Sequence, residues 1–187
     1  MKICVIGCSE AGKTTAAEIL AELAGGRAAN TSDVIAEDLA AEVRAGTCPR
    51  PPGLPADVVD REVTADLLLA CKTSSQELRV AMYEYAKQRE LSDPAYTVTR
   101  PLEAGNIVTG TRRPEQLTVM RPRVDWVVWI QRDSCRPNAT DHLGPQDADV
   151  VIDNNGTLDQ LRERLRAFVL LYRDFTEVSR PRRKALV

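Results

Sequence analysis

Apolar positions along this chain follow two periods, and the switch between them is the first guide to its elements. Lys2 to Ile6 is a short β-rich run; beyond a glycine-bounded loop, Ala16, Ile19, Leu20 and Leu23 recur at helical spacing. A strand, a loop and a helix are therefore expected in that order. Gly25-Gly26 closes the helix, Arg27 to Asn30 predicts a second short strand, and Ile35, Leu39 and Val43 share one face of a second helix. Val59, Val63 and Leu67 predict a helix over 56–71. Ser74-Ser75-Gln76-Glu77 fits a capping box that opens another over 75–90. Three β-like runs follow, Asn106 to Thr111, Trp126 to Gln131 and Ala148 to Ile152, and Pro114 begins a helix after the first of them. Thr157 and Gln160 form a second capping box, ahead of a stripe of Leu158, Leu161, Leu165, Phe168 and Tyr172 that reads as core.

This alternation predicts an α/β fold with a parallel sheet of about five strands and helices on both faces. Cys48 to Pro55 is rich in proline, and the flanking segments are too short to bury a core alone, so it reads as a loop and not a linker. One domain over 1–187 is expected, with a helical acceptor-binding insertion over about 46–100 and a short lid-like loop over about 132–147.

Composition narrows the class. The 187 residues are 43% hydrophobic and 28% charged with a formal charge of −2, which suits an ordinary folded domain and gives no global attraction to nucleic acid. No apolar run approaches the roughly 20 residues that cross a bilayer. Glu10 and Lys13 interrupt the N-terminal run before a signal peptide could develop, so a cytoplasmic chain without a membrane partner is expected. Cys4, Cys8, Cys48, Cys71 and Cys135 contain no Cys-x-x-Cys pair, and His142 is the sole histidine, so reduced thiols are favoured over zinc. The basic tail Arg180-Pro181-Arg182-Arg183-Lys184 reads as a solvated end or a nucleic-acid arm.

Gly7-Cys8-Ser9-Glu10-Ala11-Gly12-Lys13-Thr14 matches Gly-x4-Gly-Lys-Ser/Thr between a β run and an amphipathic helix, the context a P-loop requires. In such a loop the backbone amides of Gly7 through Thr15 surround the phosphates of ATP, Lys13 adds a point charge, and the Thr14 hydroxyl is offered to Mg²⁺. Ser32 and Asp33 open the second helix, where Asp33 serves either as a helix cap or as the base for an alcohol acceptor. Arg112 and Arg113 are adjacent at the start of a helix and suit a phosphate; Arg132, Arg136 and His142 lie in the lid-like stretch, where arginine stabilises transition-state charge. Arg79 is either an acceptor contact or a surface ion-pair member. Tyr83 and Tyr96 are candidates for stacking on a base. The Asn-Lys-x-Asp string that reads guanine is absent.

Together the Gly7 to Thr15 loop, Leu91-Ser92-Asp93-Pro94, Thr111-Arg112, Arg136-Pro137-Asn138 and Asp149 through Leu158 resemble phage deoxynucleoside monophosphate kinases. The resemblance implies a P-loop NTPase fold of nucleotide-kinase type, with Mg²⁺ and ATP as phosphoryl donor. It extends to related phage enzymes, grouped with the thymidylate kinases, that phosphorylate 5-hydroxymethyluracil within DNA. Implied acceptors are thus a modified pyrimidine in DNA or a free deoxynucleotide. Lys13, Asp33, Arg112, Arg132 and Arg136 become catalytic candidates; Ser32, Asp33, Arg79, Arg112 and Arg113 become acceptor contacts. Three features depart from or add to that pattern. Gly110 stands where the family carries an acidic residue, and Asp33 is followed by Val34 where an acceptor motif would have arginine. Ser32-Asp33-Val34-Ile35-Ala36 also resembles the Asp-bearing segment of dephospho-coenzyme A kinase, whose acceptor is a hydroxyl.

Overall fold

The computed structural model describes residues 1–135 and 142–178. Five strands, β1 (Ile3–Ile6), β2 (Ala28–Asn30), β3 (Ile107–Thr109), β4 (Trp126–Gln131) and β5 (Val150–Asp153), form one parallel sheet in the order β2-β3-β1-β4-β5. The central strand β1 is buried throughout, as an inner strand covered on both faces must be.

Its side chains divide by the two-residue period of a strand. Ile3 and Val5 join Ile107, Val128, Ile130 and Ile152 under two helices, α1 (Lys13–Ala24) and α7 (Leu158–Val178). Cys4 and Ile6 face the other way, into Val98, Val108, Leu117, Met120 and Trp129, beneath α5 (Tyr96–Ala104) and α6 (Pro114–Met120). A third cluster forms away from the strands, where α2 (Thr31–Ala45) supplies Ile35, Leu39 and Val43 to Leu68 of α3 (Ala65–Ser74) and to Leu78 and Met82 of α4 (Gln76–Ser92). This is an α/β fold, a five-stranded parallel sheet with helices on both faces, as expected.

The helix expected over 56–71 is shorter than its pattern suggested. Residues 60–62 form a single 3-10 turn, and α3 begins at Ala65, where the Thr64 hydroxyl accepts from the Leu67 amide at 3.2 Å. The cap of α4 is Ser75, bonded to the Leu78 amide at 3.2 Å, and so lies one residue later than the capping box implied. Helix α5 went unrecognised in the sequence: Tyr96 to Ala104 mixes β-branched residues with an internal Pro101. At α7 the reciprocal Thr157 and Gln160 bonds are present, at 3.0 and 3.3 Å, although Leu158 is exposed. Among the described residues no helix is long and apolar enough to cross a membrane.

Candidate active site

After β1 the chain turns into α1 on one face; after β3 it turns into α6 and then β4 on the other side of β1. The carboxyl ends of β1 and β3 therefore flank the crevice where open α/β sheets take their ligands. Two loops meet there, 7–12 and 110–113.

The first loop holds its shape through its own backbone and one residue from far along the chain. The Ala11 amide donates to the Cys8 carbonyl at 3.2 Å, and Lys13 Nζ donates to that same carbonyl. Gly12 caps α1 at φ 88, and a Cβ there would sit 2.5 Å from Asn154 Nδ2. That amide, at the end of β5, donates to the Ala11 carbonyl at 2.8 Å, while the Asn154 backbone amide is held by the Gln131 carbonyl at 2.7 Å. Asn154 thus pins the loop from outside, and glycine leaves the space it needs. Lys13 and Thr14 are the first two residues of α1, and Thr14 reaches solvent.

Opposite lies the start of α2. Its cap is neither Ser32 nor Asp33 but Asn30, whose side chain accepts from the Ser32 amide at 2.9 Å. Thr31 Oγ1 donates to the Thr109 carbonyl at 3.0 Å and fixes the helix start against the end of β3. This contact also accounts for Gly110, which adopts φ 101: a Cβ there would lie 2.8 Å from Thr31 Cβ, so no carboxylate side chain fits without moving α2.

Asp33, three residues after the cap, accepts from the Asn30 backbone amide and so shares in capping, as the sequence allowed, whereas Ser32 meets a side chain that sequence reasoning missed. Lys72, in the last turn of α3, donates from Nζ to Ser32 Oγ at 2.6 Å. In the sequence it reads as an ordinary basic residue near a helix C-terminus, and 40 positions separate it from its partner. Burial lowers its proton affinity, Arg112 and Arg79 lower it further, and Asp33 opposes them. Burial pushes the Asp33 carboxyl above the usual carboxylate range, Lys72 pulls it back, Glu37 raises it again, and the Asn30 backbone amide that donates to it lowers it. Arg112 connects this group to the first loop: its Nη1 donates to Ser9 Oγ at 3.4 Å, and its carbonyl accepts from the His142 amide at 3.1 Å. Arg79 Nη2 donates to the Lys72 carbonyl at 3.3 Å.

Arg113 diverges from its neighbour. It forms an ion pair with Glu90 of α4, both side chains largely buried, and its guanidinium stands 5.6 Å from the Tyr83 ring centre. Gln116 and Thr97 complete the shell around Glu90. Two guanidiniums gripping one anion, as the sequence suggested, is therefore not the arrangement formed. Tyr96 is no stacking platform either: it is buried, and its hydroxyl donates to Asp38 at 2.8 Å. Arg132 is exposed and lines a cavity of about 380 Å³ with Cys8, Trp129 and Cys135. Arg136 lies outside the described residues.

No family model matches the sequence, and no curated protein does. A solved structure titled an unliganded sugar kinase from Janibacter sp. HTCC2649 is similar at 17% identity and a TM-score of 0.42, covering 94% of this chain and 95% of that one.

Proposed function

We propose that the protein is an ATP-dependent phosphotransferase that moves the γ-phosphoryl group of Mg·ATP to a hydroxyl on a deoxynucleotide-type acceptor. The acceptor chosen is the 5-hydroxymethyl group of 5-hydroxymethyluracil in phage DNA. One observation carries the reading: Arg112 touches the Gly7–Thr14 loop at Ser9 and, like the rim carboxylate Asp33, lies in the field of Lys72.

In the reaction, the acceptor oxygen attacks the γ phosphorus and its proton passes to Asp33. The bond from that phosphorus to the β–γ bridging oxygen breaks, and ADP leaves with the electron pair. A carboxyl raised by burial is a better base than an exposed one, because its proton affinity lies nearer neutrality. Lys13 and the loop amides stabilise charge on the phosphates; Arg112 is placed to do so from the acceptor side. Thr14 suits Mg²⁺, which favours oxygen ligands and is commonly held by one or two protein groups plus substrate phosphates. The ion, when bound, neutralises phosphate charge.

A second reading, a kinase of free deoxynucleoside monophosphates, is favoured by the gathering of Lys72, Arg79 and Arg112, since a phosphate acceptor would meet cations there and need no base. The test supplies γ-labelled ATP with a 5-hydroxymethyluracil oligonucleotide, with free deoxynucleoside monophosphates, or with no acceptor. Label in DNA supports the first reading, and binding should then weaken with salt as counterions return. Label in free nucleotide selects the second. ATP binding without transfer to either assigns a nucleotide-binding regulator or GTPase-like role.

A further inference from the structure

Lys72 has no part yet in the proposed reaction, although with Arg79 it brings the helical segment to the site. It comes from α3, whose other buried contacts belong to the cluster on α2, and its ammonium crosses to the first turn of α2 to meet Ser32. Asp33 is the next residue, so the hydroxyl that seats Lys72 and the carboxylate in its field are fixed to the same helical turn.

We propose that Lys72 is a positioning residue for the acceptor base: seated on the Ser32 hydroxyl, one residue away, its ammonium favours the ionised form of the Asp33 carboxylate, which the Asn30 backbone amide contacts. The inference rests on the reading of Asp33 as the base. Other charges around Asp33 do not substitute for it. Glu37, one turn along α2, has the wrong sign. On α5, Arg100 is engaged by Asp38 at 2.9 Å, and Arg44 of α2 is turned to the Val63 carbonyl at 2.6 Å. In the 60–62 turn, Arg61 is paired with Glu62 at 4.0 Å. Arg79 and Arg112 act in the opposite direction on Lys72 itself, lowering its hold on a proton, so this ammonium is stabilised chiefly by Asp33 and the Ser32 hydroxyl.

The deciding experiment follows the Asp33 carboxyl carbon by NMR during a pH titration of the full chain, with D33N as the assignment control. Replacing Lys72 with Met removes a positive charge while burial and Glu37 continue to raise the carboxyl, so its midpoint should climb by about one pH unit. K72R should stay near wild type because the charge is kept. S32A, which removes only the seat, should give a smaller rise and serves if K72M unfolds. An unchanged midpoint in K72M, or in S32A should it stand alone, overturns the proposal. So does K72R moving as far as K72M, because the stem and not the charge would then matter.

Turnover separates this failure from failure of the base reading. If D33N keeps near-normal rates while the K72M titration moves as expected, Asp33 leaves the mechanism but its coupling to Lys72 stands. If D33N is inactive and the titration is flat, Lys72 alone is wrong. With both correct, the K72M loss in kcat/KM is greatest at low pH, about tenfold one pH unit below the wild-type acid limb, and shrinks as pH rises.

Discussion

The two sides of the crevice are built by different means. The Gly7–Thr14 loop is one continuous stretch whose strand, glycines and helix lie in immediate succession. The facing group draws Ser32 and Asp33 from α2, Lys72 from α3, Arg79 from α4 and Arg112 from the turn after β3. A loop of the first kind depends mainly on local backbone geometry, with Asn154 as a distant prop, so it fails at single positions. The second kind depends on the packing of α2, α3 and α4, and each charge in it is set by its neighbours.

The sharpest way to break the first side is Lys13→Met. It should lower phosphoryl transfer about a thousandfold, the scale seen when a main charge-stabilising contact is removed, while leaving thermal stability nearly unchanged. On the second side, Asp33→Asn should cost roughly a hundredfold with an alcohol acceptor, read as the rate of label transfer. Near-normal turnover there would collapse the contrast by removing the base.

Next in size is a test of the scaffold behind the second side. Glu90 is largely buried; burial alone would raise its carboxyl, but hydrogen bonds from Thr97, Gln116 and Arg113 outweigh it and hold the carboxyl below the usual range. The stability from such a depressed group is complete above the unfolded-state value and is lost as pH falls through the lower folded one. Glu90→Gln should therefore destabilise the protein by about 2–3 kcal/mol near neutrality and flatten the acid side of its stability curve, as chemical unfolding at several pH values would measure. The smallest effect belongs to Asn154→Ala, which removes one hydrogen bond from the loop. It should raise KM for ATP about threefold to tenfold with little change in kcat.

The difference between the sides also explains what was legible in advance. The strands carrying the sheet were marked by short β-rich runs, and the loop by glycine spacing between a strand and a helix; both are local signals. Asp33 was recognisable as a rim carboxylate, but not that Asn30 would take over the capping and leave Ser32 for Lys72. Arg112 and Arg113 are neighbours in the chain and look equivalent there. Only Glu90, brought in on α4, turns one of them away. Helix α5 was hidden for a related reason: its residues favour extended chain, and burial of Tyr96, Thr97 and Val98 overrides that preference.

By itself the amino-acid order determined the parallel sheet, the flanking helices other than α5 and the loop joining β1 to α1, because periodicity and backbone freedom act within a few residues. The tertiary structure decided which charged groups share the crevice. Electrostatic partners such as Lys72 and Ser32 are chosen by distance in space, and a separation of 40 positions along the chain carries no mark of that proximity.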